Sequence, residues 1–240
     1  MMSAFNDAAA VSAKTMLLTG RLSVSDIERS QLWQQRLAEA VFGMTVHLIE
    51  KREPSVIFDW LAVQSDIFSN LPASGAEDAN AWMQIFFRAQ ALCEKFLIAR
   101  CGHDELANWT RVNAWVHERL EVGQGGGAAD VANRIARQAE LYDSEYDLRS
   151  TGYAEAEIAI SHCAIWDYRE KARARGVPIT LRSPCEYCTK AIASNAAAKG
   201  YQSQYQLISD GTHHGCEWRI YKSATLQKSG QTACAESSAG

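Results

Sequence analysis

Through the first 120 residues apolar positions recur every three or four places, the spacing of helices with one buried face. Trp33, Leu37, Val41, Met44 and Leu48 make the first stripe, which Ser25 and Glu28 open as a capping box and Pro54 closes. A second helix is predicted from Ser55 to Leu71, with Ile57, Trp60, Leu61, Ile67 and Phe68 inward and Pro72 with Gly75 as its stop. Trp82, Ile85, Phe86, Ala89, Cys93, Phe96 and Leu97 mark a third that ends at Gly102, and Leu106, Trp109, Val116 and Leu120 mark a fourth. Aromatic side chains at helical spacing are read as core.

The pattern changes at QGGGAAD, 124–130, whose three consecutive glycines would cost a helix interior a large backbone entropy. A hinge or boundary is expected there, followed by a polar helix over 129–142. Ala154, Ala156, Ile158 and Ile160 then alternate with Glu155, Glu157 and Ala159, the period of a strand that ends near Cys163. A charged helix over 166–175 is closed by Gly176 and Pro178. The Ala-rich stretch TKAIASNAAAKG is helical up to Gly200, and 201–209 with 216–222 read as strands around the turn DGTHHG. The predicted class is α+β: a helical domain over 1–123, a glycine-rich hinge and helix over 124–152, and a cysteine-bearing α+β domain with an antiparallel hairpin over 153–223. A disordered tail is expected over 224–240.

Composition narrows the function classes. At 240 residues, with 47% apolar residues and seven tryptophans, the chain can bury a substantial core. Its net charge of −4, without a basic run, offers a phosphate backbone no landing surface, so nucleic acid is not an expected partner. No apolar run approaches the roughly 20 residues of a membrane span, and the first residues lack a signal-peptide pattern. The expected location is therefore cytoplasmic, with no membrane partner. Seven cysteines scattered through a chain of this size are read as reduced thiols.

Chemistry concentrates in the second half, in SPCEYC at 183–188 and SDGTHHGCEWRI at 209–220. Zinc is one reading: Cys185 and Cys188 clamp the ion, and His214, or its neighbour His213, completes a tetrahedral set with Cys216. A redox pair is a second, because a helix N-terminus lowers the pKa of a thiol in a C-x-x-C motif. Against it, Glu186 sits between the two thiols and no strand leads into the motif. A nucleophilic site is the third, with Cys163 or Cys185 attacking an electrophilic carbon, His214 as general base, and Asp210 or Glu186 orienting that histidine. A purely structural alternative packs Cys216 inward with Trp218 and Ile220 and leaves His213 and His214 on an exposed turn.

Taken in order, SHCAIWDY at a strand end, a helix closed by Gly176, SPCEYC, a helix, a strand and HHGCEWRI form a pattern over roughly 150–222. It resembles the C-terminal half of the L-2-amino-thiazoline-4-carboxylate hydrolase family. More distantly it is similar to the 4-vinyl-reductase-like ligand-binding domains, whose sensory members bind zinc through cysteines and an acidic residue beside a pocket for a small aromatic molecule. The resemblance places functional weight on Cys163, Cys185 and Cys216. The chain departs from the pattern at Tyr187 and Cys188, which leaves Glu186 to stand in for the expected acid. The expected function is hydrolysis of a C–N or C–S bond in a small cyclic amidine- or thiazoline-like metabolite. The alternative is a non-catalytic binding domain with a zinc-stabilised cysteine corner. The cofactor is accordingly none or zinc, and the partner a small molecule, with the helical half supplying a lid or the surface of a homodimer.

Overall fold

A computed structural model describes residues 24–222 apart from 73–77, 121–125, 178 and 212. The predicted tail over 224–240 and two residues of QGGG lie outside the described residues. Five helices come first: α1 (Asp26–Lys51), α2 (Pro54–Phe68), α3 (Ala79–Cys101), α4 (Glu105–Leu120) and α5 (Ala128–Leu141). Strands β1 (Glu145–Thr151) and β2 (Glu155–His162), helices α6 (Ala164–Ala174) and α7 (Glu186–Ala198), and strands β3 (Gln202–Ser209) and β4 (His214–Tyr221) complete the chain. The class is α+β. Among the described residues no helix is long and apolar enough to cross a membrane.

Local chemistry explains the helix ends. The side chain of Ser25 accepts from the Glu28 amide while Glu28 reaches back to the Ser25 amide at 2.9 Å, the reciprocal cap the sequence predicts for α1. Pro54 stands at the first turn of α2, where its missing N–H costs nothing. Gly127 begins α5 at φ 70°, and a Cβ there would lie 2.4 Å from the Tyr153 carbonyl oxygen. That approach lets the Tyr153 and Gly152 carbonyls accept from Ala128 and Ala129 at 2.9 and 3.0 Å, so the turn between β1 and β2 caps α5. The described end of the glycine stretch is thus tied to the sheet, and α5 belongs to the sheet's core.

The sheet is antiparallel throughout, in the order β1-β2-β4-β3. Its inner face carries Ile158, Ile160, Trp218 and Ile220, which pack with the alanines of α5 and with Ile192 and Ala196 of α7. Charged pairs cross the outer face: Arg149 reaches Glu217 at 2.7 Å, and Arg219 bonds Glu155. Trp33, Trp60, Trp109, Met44 and Leu48 centre a second core among α1 to α4. Helix α7 joins the two cores. Its Tyr187 hydroxyl accepts from Asn113 of α4 at 2.9 Å, and its Ser194 bonds Thr110 at 3.1 Å.

Candidate functional site

Cys163 follows β2 and caps α6, Cys185 caps α7, Cys188 lies in the first turn of α7, and Cys216 is on the inner face of β4. The ends of these elements are sewn together. The Cys163 amide donates to the His214 carbonyl at 2.7 Å, and the Ala164 amide to the Ser144 hydroxyl at 3.0 Å. Gly215 permits the seam: a Cβ there would stand 2.0 Å from the Ile160 carbonyl oxygen, so a side chain would push β4 off β2. The glycine of HHGC is therefore a packing requirement that sets Cys216 opposite Ile160.

All four thiols line one enclosed cavity of about 40 Å³ between α5, α7 and the sheet, walled also by Trp166 and Trp218. That volume holds roughly three water-sized bodies. The thiols are free. Burial, then the neighbouring thiols Cys188, Cys163 and Cys216, push Cys185 up to about 12. Burial likewise takes Cys188 to about 11 and Cys216 to about 12. Burial raises Cys163 as well, against the pull of the Trp166 and Ile165 amides on its sulfur. At neutral pH the lining is therefore protonated and uncharged.

Arginine charge faces this group, from Arg169 and, at Cys188, also from Arg36. Arg169 of α6 donates to the Pro184 carbonyl at 2.5 Å and to Glu94 of α3 at 2.7 Å, and its charge favours ionisation of Cys163, Cys185 and Cys188. Burial raises the Glu94 carboxyl above its ordinary range, with the Arg169 charge opposing.

A second cavity of about 40 Å³ lies behind the first, and Tyr142, Ile165, Gln138 and Cys188 line both. Its remaining walls are polar and aromatic, among them Arg36, Glu39, Gln90, Phe86 and Tyr187. Arg36 lies over the rings of Phe86 and Tyr142, 5.6 Å from each centroid. Its Nε is buried and has no hydrogen-bond partner among the described residues. A donor in that condition carries a desolvation cost of about 1–3 kcal/mol until something accepts from it.

The expected residues divide. Cys163, Cys185, Cys188 and Cys216 come together. His214 stacks on Trp166, ring centroids 4.0 Å apart, and meets the cavity through that indole. Asp210 accepts from the His213 amide at 2.7 Å, and its carboxylate lies 3.5 Å from the His213 ring. Glu186 faces away from the thiols. It accepts from the Arg182 amide at 2.7 Å and pairs with Lys190 and His103 at 3.2 Å, and these donors hold its carboxyl below the ordinary range despite burial. Among the described residues no three His, Cys, Asp or Glu side chains gather round a point that could hold a metal ion. The histidine that does carry a carboxylate beside Cys163 is His162, 2.9 Å from Asp167.

Sequence reasoning passed over Arg36, Glu94, Arg169 and His162. A signal existed for two of them: Arg36 falls between Trp33 and Ala40 on the apolar stripe of α1, and Glu94 between Gln90 and Leu97 on that of α3. Charges inside an apolar stripe must find partners or ligands. Arg169 carried no such signal, because its helix has charges on every side.

Fold and site together define an α+β protein with paired cavities, one thiol-lined and one polar, between a helical layer and an antiparallel sheet. Comparison with family models, curated proteins and solved structures finds no match to this chain, so its function has to be read from its own residues.

Proposed function

We propose that the protein binds a small, planar, acidic metabolite in the polar cavity, with Arg36 as its anchor and the Phe86 and Tyr142 rings as its walls. The observation that carries this reading is the buried Arg36 Nε, which has no acceptor among the described residues. A carboxylate supplies that acceptor as a charge-assisted bond, the stronger kind. Tyr142 and Cys188 belong to both cavities, so the bound molecule meets the thiol-bearing wall.

The resemblance to thiazoline-carboxylate hydrolases supports the same ligand class and adds a second reading, opening of a C–N or C–S bond by a thiol. Cys163 is the thiol this reading favours. Its thiol stands at the N-terminus of α6, where the Trp166 and Ile165 amides favour its ionised form, and His162 with Asp167 stands next to it in the chain.

Calorimetric titration with 2-amino-thiazoline-4-carboxylate and with planar aromatic carboxylates tests binding. Arg36→Met is expected to weaken it about tenfold or more. Unchanged affinity in that variant, or no binding by the wild type, overturns the reading. Recovery of the ligand intact marks a binding protein. Recovery of the opened ligand marks a hydrolase, in which His162→Ala or His214→Ala should slow turnover about 10²–10⁴-fold.

A further inference from the structure

We propose that the outer face of α1 and α2 is where a second copy of this chain docks, making a two-fold dimer. This goes beyond the metabolite reading and stands even if Arg36 binds nothing.

The face is built at the seam of the two helices. Thr45 of α1 accepts from the Gln64 amide of α2 at 3.0 Å and from the Trp60 indole at 2.8 Å. Residues three before and four after a helical position stand beside it on the same side of the helix. Around Thr45 these are Phe42 and Ile49, around Gln64 they are Leu61 and Phe68, and Phe58 lies three before Leu61. The seam therefore joins five large apolar side chains into one surface. A helix that meets only water turns polar and charged residues outward, yet Phe58 is 72% exposed and the other four are 42–55% exposed.

Charge and area both favour a second copy as the occupant. The exposed positions of α1 that lead into the patch, Gln31, Gln35 and Ala38, are uncharged. The Asp59 carboxylate lies on the α3 side of α2, paired with Arg100 at 3.0 Å, and Asp66, seven residues on, shares that side. Two chains of net charge −4 repel one another, and an uncharged face is where they approach most easily. With about 200 Å² for a whole aromatic side chain, the three phenylalanines alone expose roughly 340 Å², and Ile49 with Leu61 brings the patch to about 500 Å². A stable dimer buries about 800 Å² on each partner, roughly two-thirds of it apolar. The patch matches that apolar share, and in a two-fold dimer the same patch serves both sides.

The test is sedimentation velocity on the full-length chain at rising concentration, where the wild type should pass from one chain to two. Phe58→Asp and Leu61→Asp should each raise the dissociation constant about thirtyfold or more, the loss expected at the centre of an interface. Added salt should tighten the pairing, because it screens the repulsion between like-charged chains. Trp115→Asp replaces an exposed aromatic of α4 that Arg119 covers at 3.8 Å, and it should pair as wild type does. So should Arg36→Met, which tells failure of the dimer from failure of the metabolite reading. Circular dichroism on each variant separates lost pairing from lost fold. A wild type that stays monomeric overturns the proposal, as does a dimer that Phe58→Asp leaves intact or that salt dissociates. A monomer that instead floats with phosphatidylcholine vesicles overturns it too, and makes the occupant a lipid surface.

Discussion

The two halves of the molecule fill space with different side chains. The helical core is aromatic, with Trp33, Trp60 and Trp109 each buried and Trp33 packed against Phe86, Phe87 and Tyr142 at ring separations of 5.0–5.7 Å. The sheet's core is built on small residues: α5 offers Ala128, Ala132, Ala136 and Ala139 to the strands. Alanines bring a helix close to a sheet and leave little to fill a gap where that contact ends. The gap opens around Ala139 and Tyr142, where the four cysteines stand. In the helical half a cavity forms where charged and amide groups, Arg36, Glu39 and Gln90, replace apolar ones. The lesson is that a thiol-lined space and a polar space arise by different routes and meet along Tyr142, Ile165, Gln138 and Cys188.

The largest effect should come from removing the aromatic filler. Trp33→Ala is expected to cost about 3–5 kcal/mol in urea unfolding. Because Tyr142, at the end of α5, packs edge-on against Trp33, both halves should lose hydrogen-exchange protection together. Protection that persists in the sheet alone would show the halves to be independent. Gly215→Ala comes next, at about 1–3 kcal/mol for overpacking, since the new Cβ meets the Ile160 carbonyl. Its damage should be confined to the seam of β2 and β4, and slow amide exchange at that seam equal to wild type would refute the packing role of the glycine.

The smallest effect is a pH dependence that belongs to the helical half. Burial alone would raise Glu39, but its bond to His117 at 2.8 Å, with Gln35 and Arg36, brings it below the ordinary range. His117 is also lowered, chiefly by burial. Both folded pKa values lie below the unfolded ones, so the folded state binds fewer protons and loses stability as pH falls. The His117 contribution fades as pH drops below its unfolded value of 6.5, and that of Glu39 as pH drops below 4.5 through its folded value. Urea midpoints between pH 7 and 5 should fall more steeply in Glu39→Gln, because the carboxylate that holds the His117 pKa up is gone. An equal slope would remove the pair from the account.

Much of the fold was legible because its cues are local. The stripes on α1 to α4, the Ser25 and Glu28 box, the alternation in β2 and the final hairpin depend only on neighbours a few residues apart, and the structure has each of them. Strand β1 escaped notice. Its residues are largely exposed, and it pairs along one edge only, so Tyr146 and Leu148 make a short alternation among charges. Of the site, the cysteines were visible as residue types, and Cys163, Cys185, Cys188 and Cys216 were all singled out. Their joint lining of one cavity was not visible, nor was the stacking of His214 on Trp166 or the turning of Glu186 toward Lys190 and His103.

By itself, the sequence determined the class, the positions of nearly all the helices and strands, and the concentration of thiols in the second half, because helix and strand periods are written in nearest neighbours. Tertiary structure alone decided that Cys163 joins three thiols lying 22 to 53 positions further along the chain, and that Arg169 and Glu94 form the buried pair beside them. Those meetings depend on how closely an alanine-faced helix approaches a sheet and on where that approach ends. No local period records either distance.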